Sequence, residues 1–178
     1  MSTRHVVVDE SMRGGYLLVA ALVMPSDVVA IRRGIRALVQ PGQRRLHMVK
    51  ESDARRRQIL QRLTELGCSA TVYAATADHK TNIARRRACL DRLVRDISAA
   101  GAATRLCLET AEGVDRRDQQ QLVELVRRLQ CRDVLTYEHC HASAEPLLAA
   151  PDAIAWAWSK GGDWRRRVSP MVTAVVPV

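Results

Sequence analysis

The sequence predicts a mixed α/β domain: a central sheet that opens with a β-hairpin and is flanked by helices. Three observations carry this. HVVVD at 5–9 and YLLVAALVM at 16–24 are apolar runs separated by the turn signal Arg13-Gly14-Gly15, which is hairpin spacing. After them, segments of helical period alternate with short β-rich runs. The 178 residues, 47% of them hydrophobic, fit a single domain over 1–178 with material for a real core.

Each element has its own reason. Residues 5–9 are apolar on both faces, which places them in the middle of a sheet. Pro25 ends the second run and Ser26 is the expected cap of a helix carrying Val28, Ile31, Ile35 and Leu38. Pro41-Gly42 stops that helix. RLHMVKE at 45–51 reads as a short strand. Ser52 caps a second helix with Ile59, Leu63 and Leu66 as its stripe, and Gly67 ends it. CSATVYAAT at 68–76 is a strand by its Val, Tyr and Thr content. Ile83, Leu90, Leu93, Val94 and Ile97 mark a third helix that stops at Gly101. TRLCLET at 104–110 is a strand, Leu122 to Leu129 a fourth helix, and DVLTYEHCHA at 133–142 another strand. APDAIAWAWSK is helical up to Gly161, and MVTAVVPV is a last short strand.

Lys and Arg number 28 against 19 acids, and 25 of the bases are Arg. A net charge of +9 suits a polyanionic partner, since guanidinium matches phosphate bidentately, but GC-rich coding produces the same bias. The five cysteines are widely spaced and include no CxxC pair, so neither a zinc ribbon nor a disulfide framework is expected. Asp9 and Glu10 interrupt any leader pattern, and the longest apolar run is about half of what spans a bilayer. The expectation is a soluble cytoplasmic protein with no membrane partner. No P-loop, GxSxG or dinucleotide fingerprint occurs.

The informative charges are those placed where burial is expected. Asp9 and Glu10 end the valine strand, Glu109 ends RLCLE, and Asp152 opens the helix AIAWAW. Strand ends converge on one edge of a sheet, where carboxylates from separate strands repel and resist desolvation. A divalent cation removes that cost, and a pair of such ions cleaves phosphodiesters by activating water and stabilising the leaving oxygen. Each acid also has a plain structural reading: Asp152 as a helix-start acid, Glu109 as an exposed strand-end charge. Strand alternation puts Glu10 on the face opposite Asp9, which makes it the accessory acid. Asp115 and Asp118 read as helix-start acids, and Asp163 as a partner of local arginines.

The Asp-Glu-Ser after a valine strand, the glycine turn, the second apolar strand and the late Asp152-Ala153-Ile154-Ala155 helix resemble the family called domain of unknown function 3800. The resemblance spans most of the chain. It implies an RNase H-like fold, and with it catalytic and metal-binding roles for Asp9, Glu109 and Asp152, with Mg2+ or Mn2+ as cofactor and RNA or DNA as partner. Two features depart from the pattern: Met12 follows Ser11 where Gly is common, and the first helix offers only Asp27 in place of a glutamate.

Other residues fit around such a site. His47 and Lys50 of RLHMVKE suit a scissile phosphate or a proton relay, although an ordinary edge strand also explains them. Trp164 beside Arg165, Arg166 and Arg167 suits base stacking with phosphate contacts. His139 and His141 at i,i+2 form a weaker metal pair. The leading expectation is a metal-dependent nuclease. The alternatives are a non-catalytic RNase H-like module that binds nucleic acid or protein, and a scaffold whose acids are structural.

Overall fold

Valine repeats and helical stripes build the expected layers. The computed structural model describes residues 2–178. Strands β1 (Arg4–Ser11) and β2 (Leu17–Val23) form the hairpin, followed by α1 (Val28–Leu38), α2 (Asp53–Glu65), β3 (Ser69–Ala74) and α3 (Asn82–Ala100). Then come β4 (Thr104–Glu109), α4 (Asp115–Arg128), β5 (Leu135–Cys140), α5 (Ala149–Lys160), α6 (Gly162–Val168) and β6 (Val172–Pro177). The sheet has six strands in the order β5-β4-β1-β2-β3-β6. β1 is antiparallel to β2 and parallel to β4, β2 is antiparallel to β3, and the two edge strands β5 and β6 run parallel to their neighbours.

Strand alternation divides the core in two. Val7, Val19, Ala21 and Cys107 pack with α1, α2 and α5 residues such as Ile35, Leu63 and Ile154. Val6, Val8, Leu18, Leu106 and Leu108 face the other way, onto Leu90, Leu93 and Val94 of α3 and Leu122 and Leu125 of α4. Gly34 lets α1 lie close to the end of α2, because a Cβ there would fall 2.6 Å from Leu66 Cδ1. Among the described residues no helix is long and apolar enough to cross a membrane.

Two local expectations need correction. RLHMVKE is not a strand: Met48–Lys50 is one turn of 3-10 helix inside a loop. Its backbone bonds go elsewhere, since Met48 N–H donates to the Asp152 carboxylate and Arg56 takes the Met48 and Val49 carbonyls. A strand needs a ladder partner, and this stretch has other outlets for those groups. Ser26 does not cap α1 either; Asp27 occupies the cap position, and its carboxylate accepts from the Ser26 hydroxyl and from no helix N–H.

Candidate metal centre

β1 and β4 run side by side in register up to Val8 and Leu108. Asp9 and Glu109 are the next step on each strand. They share the parity of Val7 and Cys107, so both project to the face covered by α5. Asp152 lies in the first turn of α5, which packs on β1 and β2. Its carboxylate does not cap its own helix. Oδ2 instead accepts the Met48 N–H at 2.9 Å and lies 3.6 Å from His47 Nδ1. The structure therefore brings Asp9, Glu109 and Asp152 to one end of one sheet face.

The electrostatics differ among the three. Glu109 is paired with the Arg45 guanidinium. Asp152 has His47 and the Met48 amide. Among the described residues Asp9 has only the Glu10 N–H, at 2.8 Å. Burial, and next the Asp152 charge, push the Asp9 carboxyl up to about 7; Glu109 adds to this, while the Glu10 amide opposes it. Contact with Asp152 raises His47 above its ordinary value.

Glu10 points to the other face. It accepts from the Tyr16 hydroxyl and pairs with Arg86. Arg86 also grips Asp118, with Nε 2.9 Å from Oδ1 and Nη2 2.7 Å from Oδ2. His139 Nε2 completes the cluster 3.4 Å from Asp118 Oδ2. Burial works against the Arg86 charge, but Asp118 and Glu10 outweigh it and raise its pKa. This network ties β1, α3, α4 and β5 together behind the sheet. Asp115 does open α4, accepting from Ala111 N and Thr110 Oγ1.

A groove of about 660 Å3 leads away from Glu109, lined by Arg44, Arg45, His47, Lys50, Glu51 and His141. Arg44 and Lys50 are exposed, and neither makes a salt bridge among the described residues. His139 and His141 are not a pair: the first faces Asp118, and the second lies beyond the strand end in the groove. Trp164, Arg165, Arg166 and Arg167 are not brought to the acids. They sit on α6, beyond the C-terminal end of α5, whereas Asp152 is at its N-terminal end. The Trp164 ring meets Trp156 edge-on at 5.0 Å with the Arg57 guanidinium over it, so its surface is already engaged. Arg165 donates to the Trp158 carbonyl, and Arg166 and Arg167 pair with Asp163.

Sequence reasoning missed Arg45 and Glu51. Arg45 stands beside Arg44 in a loop, and nothing local marks it as the partner of Glu109. Glu51 is buried, holding Gln43 at 3.0 Å, yet nothing in a loop sequence marks it as such.

The chain is similar to the RNase HII of Archaeoglobus fulgidus, whose structure was solved in complex with PCNA, with a TM-score of 0.55 over 90% of this chain and 73% of that one. The fold is RNase H-like. At 17% identity the likeness concerns the fold alone. No family model and no curated protein matches the chain.

The donor set suits a hard cation. Three carboxylates offer oxygen ligands of the kind Mg2+ and Mn2+ prefer, and among the described residues Asp9 forms no salt bridge.

Proposed function

We propose that this chain is a divalent-cation-dependent nuclease of the family domain of unknown function 3800. The observation that carries the reading is the convergence of Asp9, Glu109 and Asp152 on the α5 face at the end of the two central parallel strands. Its likeness in fold to a protein named RNase HII supports the same reading.

Asp9, Glu109 and Asp152 would hold Mg2+ or Mn2+, and Glu109 would exchange Arg45 for the cation. When bound, the cation supplies an activated water and charge stabilisation for the leaving oxygen. Arg44 and Lys50 would hold the phosphates of RNA or DNA along the groove. His47, its proton affinity raised by Asp152, would hand a proton to the leaving oxygen. Glu10 is given no catalytic role, because Arg86 and Tyr16 hold it on the opposite face.

One observation favours a second reading, the non-catalytic binding module. The Arg45 guanidinium already neutralises Glu109, where a cation would otherwise be needed. The readings separate on Mn2+. In the nuclease reading, the wild type binds Mn2+ by calorimetry and cleaves labelled strands, Asp9→Asn falls to background while its circular dichroism is unchanged, and Arg45→Ala binds Mn2+ more tightly. Full cleavage by a folded Asp9→Asn protein sinks the nuclease reading. Salt-sensitive binding with no Mn2+ heat and no turnover establishes the module.

A further inference from the structure

A second ligand cluster lies on the same sheet face, nearer its edge. Cys107 stands opposite Glu138 in the β4–β5 register, and Cys140 stands opposite Glu109. Alternation therefore turns Cys107, Glu138 and Cys140 to one side. Their two sulfurs and a carboxylate oxygen all lie within 4.8 Å of one another. We propose that Cys107, Glu138 and Cys140 form a site for a soft divalent cation, zinc in the first instance, with water as the fourth ligand.

The geometry favours a cation over a disulfide. Cys140 is two residues along the parallel strand from the partner of Cys107; with a rise of about 3.3 Å per residue and strands about 4.8 Å apart, that is a diagonal of about 8 Å between Cα atoms. Disulfides need Cα atoms about 4.4–6.8 Å apart, so this bridge demands backbone movement. Zinc places sulfur about 2.3 Å and carboxylate oxygen about 2.0–2.2 Å from itself, so its ligands sit roughly 3.5 Å apart. Side-chain rotation closes the remaining gap from 4.8 Å.

Charge and access also fit. Two thiolates and a carboxylate leave a zinc complex one charge negative, and two arginines face it. Arg105 lies against Glu138 Oε1, an atom shielded from solvent that accepts no well-formed hydrogen bond. That leaves the other oxygen for a cation, with Arg105 as the outer partner that orients the ligand. Arg32, held by Glu145, is near enough to feel both cysteines. Cys107 is buried, but Cys140 is only half-buried and the Glu138 side chain is 40% exposed, so a path from solvent exists. Two of the three protein donors are soft sulfurs, where those of the acid centre are all hard oxygens, and the two sites would select different metals. The bound ion would clamp the edge strand β5 just before the chain turns at His141 into the groove beside Glu109. The proposal does not rest on the nuclease reading.

Cobalt(II) titration of the reduced full-length protein tests it, since thiolate ligation gives a sulfur-to-cobalt charge-transfer absorption. One equivalent should produce the band, and zinc should displace it. Cys140→Ser, at a half-buried position that tolerates the change better than Cys107, should abolish the band with circular dichroism unchanged. Glu138→Gln should weaken cobalt binding about tenfold or more. Asp9→Asn should leave the titration unaltered, which separates this site from the acid centre. No band in the reduced wild type, or an undiminished band in Cys140→Ser, overturns the proposal.

Discussion

Asp9 carries a conflict between burial and charge. Burial and the Asp152 charge hold its folded pKa near 7, against 3.8 for an unperturbed carboxyl. The folded protein thus keeps the Asp9 proton after the unfolded chain has lost it. The stability this gives is complete below about pH 4 and is lost as the pH rises toward 7. Without divalent cations, Asp9→Asn should therefore gain on the wild type through that window, by about 2–4 kcal/mol above pH 7. Urea unfolding at pH 4, 5.5 and 8 in EDTA measures the difference, and His47, common to both proteins, cancels. Arg86 behaves oppositely. It is the shared counter-ion of Glu10 and a nearly fully buried Asp118, so Arg86→Met leaves two acids uncompensated. A loss of about 3–5 kcal/mol is expected, much of it recovered in the double variant with Asp118→Leu. A double-mutant cycle by denaturant unfolding tests that coupling.

Elements with strong local signals appear where the sequence places them. The valines of β1 and the Leu-Val stripe of α3 needed no tertiary information, and Gly101 ends α3 at φ 62° as its position announces. Thr81 caps the same helix by accepting the Ala84 N–H at 3.1 Å. Thr81→Ala should cost about 1 kcal/mol with an unchanged denaturant slope, since α3 stays folded through its packing. The three acids were legible for a related reason: each interrupts an apolar element at its end. Arg45 and Glu51 were not legible, because a loop residue is assigned by what it meets across space. Trp164 misled because its neighbours in sequence are basic, while its neighbours in space are Trp156 and Arg57.

For the molecule as a whole, charge is unevenly available. Many arginines are already spent on local acids: Arg56 on Asp53, Arg95 and Arg128 on Asp91, Arg167 on Asp163. The net +9 therefore acts mainly through unpaired bases such as Arg44 and Lys50 in the groove. The proposed function predicts a nucleic-acid affinity that falls steeply with salt, and Arg44→Ala and Lys50→Ala should each lower the slope of log K against log salt by about one unit. Fluorescence anisotropy from 50 to 200 mM salt reads this directly, and an unchanged slope in both variants removes the groove from the interface. The order of the sheet carries a further consequence for how the chain assembles. β1 meets β2 through a short turn, but Arg4 bonds Thr104 across 100 residues. Local pairs close faster than distant ones. The hairpin should therefore form early and leave the other edge of β1 open until β4 has been made and docks. Asp9 meets Glu109 only at that late step, so a chain cut short before residue 104 would carry one of the three acids, Asp9, on an exposed, sticky strand.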